Sequence, residues 1–311
     1  MPVSSIVIAT RESALALWQA RHVQERLQAL YPDLRLSILG ITTRGDRNLD
    51  TPLANIGGKG LFVKELEIAL SEGRADIAVH SMKDVPMRMP DGYAIAALCR
   101  RADPRDAVVS KRGASLEELP AGSVVGTSSM RRASQLKSRF PGLEILPLRG
   151  NVQTRLGKLD AGQYAAIVLA VAGLERLGLG GRITSILSPE QSLPAIGQGA
   201  LAIETLSARS ELSELLTPMN DPETEACVTA ERAYGRALGA SCQVPLGGYA
   251  QIRDGVLTLR GFVASVDGVR MVSGEVRGKV SEPDALGKTL AQRLLGQGAA
   301  AILAELAAGH G

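Results

Sequence analysis

Aromatic side chains are scarce: one tryptophan, five tyrosines and three phenylalanines make up 3% of the 311 residues. Surfaces that stack single-stranded nucleic acid depend on aromatics, so that class of function is disfavoured. Histidine and cysteine are as thin, with three of each. Cys99, Cys227 and Cys242 are widely spaced and form no C-x-x-C pair, and His22, His80 and His310 do not cluster with them. A zinc site or a disulfide framework is therefore not expected. No apolar run approaches the roughly 20 residues that cross a bilayer. The opening MPVSSIVIATRESA has an apolar stretch too short, and too soon charged, for a secretory signal. The expectation is a reduced, cytoplasmic protein with neither a membrane nor a nucleic-acid partner. No exposed apolar stripe demands a partner either, which favours a monomer.

What is present is globular: 45% apolar and 22% charged residues, in a chain long enough for two or three domains. The net charge of +3 means little, but its distribution is uneven. Residues 1–99 carry 11 basic and 11 acidic side chains, residues 100–199 carry 14 and 8, and residues 200–311 carry 10 and 13. A middle third at +6 suggests an anionic ligand rather than a general polyanion surface.

Strand and helix signals alternate through the first two thirds. Val3–Ala9 reads as a buried strand. Ser13 stands where it can cap a helix, whose stripe is Ala16, Ala20, Val23, Leu27 and Leu30. Leu34–Thr42 follows as a strand, then a polar, Gly-rich segment, a helix from Leu61 to Glu72, and a strand over Asp76–His80. In the middle third Ser123–Gly126, Leu143–Leu146 and Ala165–Ala170 read as strands, with Asn151–Asp160 as a helix. This alternation argues for α/β layers. From about Asp221 the pattern changes. A helix over Pro222–Ala237 leads to three strand-like runs punctuated by Asp254-Gly255 and Asp267-Gly268, then a helix carrying Leu286, Leu290 and Leu294. That reads as a small antiparallel α+β unit.

Three features carry possible chemistry. VVGTSSMRR ends a strand at a glycine, opens a helix on hydroxyl residues and adds Arg131 and Arg132, a combination suited to carboxylates or phosphates. An ordinary capped helix with solvated arginines fits the same letters. Arg149, Arg155 and Arg176 lie near neighbouring element ends, and arginine in preference to lysine suits planar, bidentate carboxylate recognition. Ser81-Met82-Lys83-Asp84 follows a buried strand, where open α/β sheets place their ligands. It reads equally as a surface cap. Cys242 stands in a Gly-rich turn, a better place for a nucleophile than the apolar settings of Cys99 and Cys227. Residues 43–60 read as a lid or as an unstructured surface loop. GGKG at Gly57–Gly60 lacks the first glycine of a Walker motif, where Leu53 stands, so a nucleotide site is not indicated.

Seven segments in order then resemble one family. They are IATRESALALWQA (Ile8–Ala20), GGKGLFVKELEIAL (Gly57–Leu70), DIAVHSMKDVP (Asp76–Pro86), VGTSSMRRASQL (Val125–Leu136), LRGNVQTRLGKL (Leu148–Leu159), LPAIGQGALAIE (Leu193–Glu204) and the loop at Cys242. The family is that of the porphobilinogen deaminases, also called hydroxymethylbilane synthases. The resemblance implies an α/β fold: two periplasmic-binding-protein-like lobes with mixed, largely parallel sheets, and a C-terminal α+β domain with an antiparallel three-stranded sheet. Residues 1–99 with 200–220 would form lobe 1, residues 100–199 lobe 2, and residues 221–311 the cofactor-attachment domain.

The resemblance also implies the chemistry. A dipyrromethane cofactor would be bound by a thioether to Cys242. Four porphobilinogen molecules would be added to it in turn, each releasing ammonia through a cationic azafulvene, and hydrolysis would free hydroxymethylbilane for uroporphyrinogen-III synthase. Asp84 would be the catalytic carboxylate. Arg11, Arg131, Arg132, Arg149, Arg155, Arg176 and Lys83 would hold the acetate and propionate arms, with Ser13, Ser81, Thr127 and Ser129 adding neutral hydrogen bonds. Lys59 and Phe62 would belong to the lid and its following helix, and Gln198 and Gly199 would lie near the cofactor. No metal is implied. The chain departs from the family at Ala240-Ser241, before the cysteine, and at Asn55 in the lid. A two-lobed anion-binding or effector-sensing module without catalysis is the rival reading, and it leaves the domain with Cys242 unexplained.

Overall fold

Apolar residues set the strands, and the two five-stranded sheets divide their side chains between cores on both faces. The computed structural model describes residues 3–47, 62–111, 113–241 and 244–308. The chain forms two compact units, Met1–Ala102 with Gly199–Glu225, and Asp103–Gln198 with Ala226–Gly311. In chain order the first unit begins with β1 (Ser5–Arg11), α1 (Ala14–Leu30), β2 (Arg35–Ile41), α2 (Arg44–Arg47), α3 (Lys64–Ser71), β3 (Ile77–Ser81) and β4 (Tyr93–Leu98). The second unit has β5 (Asp106–Ser110), β6 (Val124–Gly126), α4 (Met130–Arg139), β7 (Glu144–Leu146), α5 (Val152–Asp160), β8 (Ala166–Ala170), α6 (Val171–Arg176) and β9 (Ser185–Leu187). The chain returns to the first unit with β10 (Leu201–Leu206) and α7 (Ser210–Leu216). It continues with α8 (Pro222–Ala237), β11 (Leu246–Arg253), β12 (Val256–Ala264), β13 (Met271–Lys279), α9 (Pro283–Leu294) and α10 (Ala300–Ala308).

In the first unit Ile6 and Ile8 of β1 pack with Ala20, Val23 and Leu27 of α1, while Ala9 faces Leu66, Ala69 and Leu70 of α3. Ser13 caps α1 as expected, its Oγ accepting from the Ala16 N–H at 3.3 Å. Leu30, placed in the buried stripe by its spacing, is instead 43% exposed. It is the last residue of α1, and the stripe ends a turn earlier at Leu27. The helix expected from Leu61 begins at Lys64.

The two large sheets share one strand order. The first runs β2-β1-β3-β10-β4 and the second β7-β6-β8-β5-β9. Each has three parallel strands followed by one antiparallel to its neighbours, β10 in the first and β5 in the second. In both, the antiparallel strand is the first that the chain makes after crossing over from the other unit. These are the mixed, largely parallel sheets that the resemblance implies. Within the second unit Ala107, Val109, Ile167 and Leu169 pack on α5 and α6, and Val108, Ala166 and Val168 pack toward Leu136 of α4.

The third sheet, β11-β12-β13, is antiparallel throughout. Asp254-Gly255 forms the two-residue turn read from the sequence, with φ of +50° and +73°. Both central residues are left-handed, as a hairpin of matching twist requires. The second turn is longer and closes from the Ser265 N–H to the Arg270 carbonyl at 2.9 Å. Leu290 and Leu294 of α9 are fully buried. At Gly287 a Cβ would run into the Ala230 carbonyl oxygen and stand 2.7 Å from the Ala233 Cβ, so α9 crosses α8 at backbone contact. Among the described residues no helix is long and apolar enough to cross a membrane.

Candidate functional site

β1 and β3 are parallel neighbours, with Ile8 opposite Ile77, so Arg11 and Ser81 leave the same edge of the first sheet. Carboxyl ends of parallel strands are where such sheets offer side chains to ligands. β3 runs into a single 3-10 turn, Met82–Asp84, fastened by the Met82 N–H to the Ala200 carbonyl at 3.0 Å and the Val85 N–H to the Met82 carbonyl at 3.2 Å. Met82 is buried and anchors the turn; Asp84 is exposed and Lys83 half-buried. Buried Gln19 of α1 donates to the Ser81 Oγ at 2.8 Å.

Arg11 is held on two sides. Its Nε donates to Asp46 at 3.0 Å and a second nitrogen pairs with the other carboxylate oxygen. Its guanidinium lies 4.1 Å from the centre of the Phe62 ring, a cation–π contact. Thr43 donates to the same carboxylate at 2.7 Å. Burial would push the Asp46 carboxyl up, but hydrogen bonds from Arg11 and Thr43 and the Arg11 charge hold it below its ordinary value. Gly45 admits the ring: a Cβ there would overlap Phe62.

Behind this edge lies a buried pair that the sequence reading missed. The His80 Nε2 and a Glu204 oxygen are 2.7 Å apart, with side chains 4% and 0% exposed. The second oxygen of Glu204 and the Oε1 of Glu67 are buried without partners among the described residues. Burial and the Glu204 charge raise the Glu67 carboxyl above its ordinary value, outweighing His80 and Lys64. A carboxyl raised on folding favours the native state below its unfolded value and loses that contribution as pH climbs through the folded value. Glu67→Gln should therefore melt a few degrees higher than the parent near pH 8, with a smaller gain near pH 5. Thermal melts at the two pH values check this, and an equal or reversed difference refutes it.

In the second unit β6 breaks at Gly126 and α4 opens on Ser129, whose Oγ accepts from the Arg132 N–H at 3.4 Å. Thr127 is buried and accepts from the Ser129 N–H at 3.2 Å. Arg131 and Arg132 are only 5% and 6% exposed, and both converge on Asp106, which is fully buried at the start of β5. Arg131 spans both Asp106 oxygens at 2.8 and 3.1 Å; the Nε and terminal nitrogen of Arg132 reach one of them at 3.0 and 2.7 Å. Ser192 and Gln198 add donors at 2.8 and 2.9 Å. Burial alone would raise the Asp106 carboxyl; the charges of the two arginines outweigh it and hold the group far below the carboxylate range. The alternative of solvated arginines on an ordinary helix is thus excluded for this pair.

The remaining predicted residues fall in two places. Asn151 caps α5, accepting from the Thr154 N–H at 2.8 Å, and the Arg155 Nε donates to the Gly150 carbonyl at 2.8 Å. Arg149, two residues before the cap, is half-buried, and one of its terminal nitrogens is buried with no partner among the described residues. The Nε of Arg131 is in the same condition. Arg176 is half-buried at the last residue of α6. Gly199, with φ of +90°, lies in the first unit, its carbonyl accepting from the Ala102 N–H at 3.2 Å. Lys59, Asn55 and Cys242 lie outside the described residues, as does most of the segment read as a lid. Cys99 and Cys227 are buried, 2% and 7% exposed, in the core positions expected of them.

Residues 6–214 match the family model described as porphobilinogen deaminase, dipyromethane cofactor binding domain, and residues 225–296 match porphobilinogen deaminase, C-terminal domain. The chain belongs to the porphobilinogen deaminase family. It is 62% identical over 297 residues to the porphobilinogen deaminase of Laribacter hongkongensis, covering 96% of each chain. It is 60% identical over 307 residues to that of Chromobacterium violaceum, covering 97% of this chain and 99% of that one. Among solved structures, the methionine binding protein MetQ is similar at 16% identity and a TM-score of 0.45, over 76% of this chain and 94% of that chain.

The family's cofactor is an oligopyrrole rich in acid arms, and the residues of the second unit fit such a group. Two buried guanidinium nitrogens there have no acceptor among the described residues, and α4 and α5 each begin with a side-chain cap. Asp46, Asp106, Gln19 and Ser192 were not anticipated. Only Asp106 left a trace in the sequence, as an acid opening the apolar run DAVVS.

Proposed function

We propose that this chain condenses four porphobilinogen molecules head to tail onto a dipyrromethane joined to Cys242, releasing ammonia at each addition and hydroxymethylbilane at the end. The observation that carries this reading is the pair of buried guanidinium nitrogens, on Arg131 and Arg149, that have no partner among the described residues. A buried donor left unsatisfied costs roughly 1–3 kcal/mol, and a carboxylate arm is the acceptor that an arginine fork fits best. The dipyrromethane, when bound, would supply the pyrrole carbon to which the first unit is joined, and each later unit would join the free end of the growing chain.

The chain's own residues do the rest. Asp84 sets a negative charge beside the pyrrole that loses ammonia, opposing the positive charge that develops on the ring, and holds a pyrrole N–H. Lys83 and the arginines at 11, 131, 132, 149, 155 and 176 hold acid arms; Ser13, Ser81, Thr127 and Ser129 assist at the strand and helix ends. Lys59 and Phe62 serve the lid, and Gln198 and Gly199 stand by the cofactor. Residues 1–99 with 200–220, 100–199 and 221–311 act as the three domains of the family. The enzyme works as a cytoplasmic monomer and passes its product to uroporphyrinogen-III synthase.

Purified protein exposed to porphobilinogen should release ammonia, form uroporphyrin on standing, and weigh more than its sequence mass by two condensed pyrrole units. A chain that stays at its sequence mass and releases no ammonia removes the proposal.

A further inference from the structure

We infer that Asp106 is a positioning residue that sets Arg131 and Arg132 so that the pair receives one acid arm rather than two. The inference rests on the proposed role of these arginines and concerns how their geometry is fixed. Asp106 is fully buried, and its two oxygens accept from Arg131, Arg132, Ser192 and Gln198. Two guanidinium groups so close would repel strongly in a dry interior without an anion between them. One carboxylate against two guanidiniums leaves a single positive charge unbalanced among the three.

Hydrogen bonding distinguishes the two arginines. Every nitrogen of Arg132 has a partner: Nε and one terminal nitrogen on Asp106, the other on the Val168 carbonyl at 3.0 Å. Arg131 has both terminal nitrogens occupied, by Asp106 and by the Leu193 carbonyl at 2.6 Å, and its Nε alone is unpartnered among the described residues. Arg131 Nε is thus the one guanidinium nitrogen of the pair with no partner among the described residues, and both arginines are fixed through Asp106. Ser192 and Gln198 fix the rotation of the carboxylate, so their effect also passes through it. Gln198 further donates to the Pro104 carbonyl at 2.6 Å, which ties the start of β5 to the segment before Gly199.

The test uses the holoenzyme, with active sites counted by Ehrlich's aldehyde colour so that loss of folded or loaded protein does not enter the rates. Asp106→Asn keeps the shape and removes the charge. Its KM for porphobilinogen should rise at least about tenfold while kcat per loaded site changes by less than roughly threefold. A folded Asp106→Asn enzyme with the parent's KM overturns the inference, since a merely structural role lowers stability without touching the KM of the sites that remain. Where Asp106→Asn does not fold, Ser192→Ala decides. It deletes one neutral donor to the carboxylate, and an approximately threefold rise in KM supports the inference whereas an unchanged KM overturns it. If the parent protein itself fails to turn over porphobilinogen, the proposed function falls, and that result is separate from either variant's.

Discussion

Asp84→Ala should fold as the parent does and lose turnover by on the order of 10²–10³ or more, the scale seen when one electrostatic stabiliser of a transition state is removed. The two halves of this expectation have separate grounds. The fold does not use the Asp84 side chain, which is exposed, while the turn is fixed by backbone hydrogen bonds from Met82 and Val85 and by the buried Met82 side chain. Truncation at such a surface position shifts stability by about 0.5 kcal/mol or less. The activity half follows from charge. As ammonia leaves, positive charge spreads over a pyrrole ring, and a fixed carboxylate favours that state over the neutral reactant. Asp84→Asn keeps the size and an acceptor oxygen but not the charge, so it should lose nearly as much as Asp84→Ala, and Asp84→Glu should retain the most. Steady-state kcat per loaded site and a thermal melt for each variant suffice. A variant with alanine that keeps a tenth or more of the parent kcat, or an asparagine variant that works well, removes the carboxylate charge from the chemistry.

What could be read before the structure was known follows from the range of the interactions concerned. α1, α9 and the three C-terminal strands were legible because their signals are local: a cap at Ser13, a stripe such as Leu286, Leu290 and Leu294, an Asp-Gly turn. Strands β4 and β5 were not read. Tyr93–Leu98 is alanine-rich and half-buried over most of its length, so it shows no clean alternation. The shared order of the two large sheets was also hidden. In each, one strand pairs with partners distant in sequence, as when Glu204 sits opposite Ala78. The same limit applied at the site. The run of arginines announced an anion, but the anion nearest to Arg131 and Arg132 is Asp106, 25 and 26 residues away. His80 and Glu204 are 124 residues apart and meet only because β3 and β10 pair.

That distinction bears on which residues transfer from motif to function. Ser13 and Ser129 were read as ligand hydroxyls, yet each Oγ already accepts from a helix N–H. Ser81 already accepts from Gln19. Each hydroxyl still has its own proton to donate, which a carboxylate arm can accept. Their contribution to binding is therefore donation from a fixed oxygen, a weaker and more directional contact than a guanidinium makes.

Cys242→Ala should abolish the gain in mass completely: exposed to porphobilinogen, the chain should stay at its sequence mass and give no Ehrlich colour. Alanine has no sulfur with which to form a thioether, and the other two thiols cannot substitute. Cys99 sits in the core of the first unit with Ile77 and Ile203, and Cys227 is buried on α8. A pyrrole pair on either would require the core around it to open. The chain on both sides of residue 242 is held by bonds that do not involve that thiol. The Ala240 N–H donates to the Gly235 carbonyl at 2.8 Å, and the Val244 N–H donates to the Ser241 carbonyl at 3.2 Å. Glu231 of α8 accepts from the Ala250 N–H of β11 at 2.7 Å. The melting temperature of unloaded Cys242→Ala should accordingly match that of the unloaded parent within a few degrees. Cys99→Ala and Cys227→Ala, by contrast, should still gain the mass of two pyrroles but melt lower, by the cost of a small cavity, roughly 1 kcal/mol. Intact-mass spectra of the three variants after the same exposure separate the possibilities. Added mass on Cys242→Ala, with its loss from either of the other variants, would move the attachment point and with it the role given to the whole C-terminal domain.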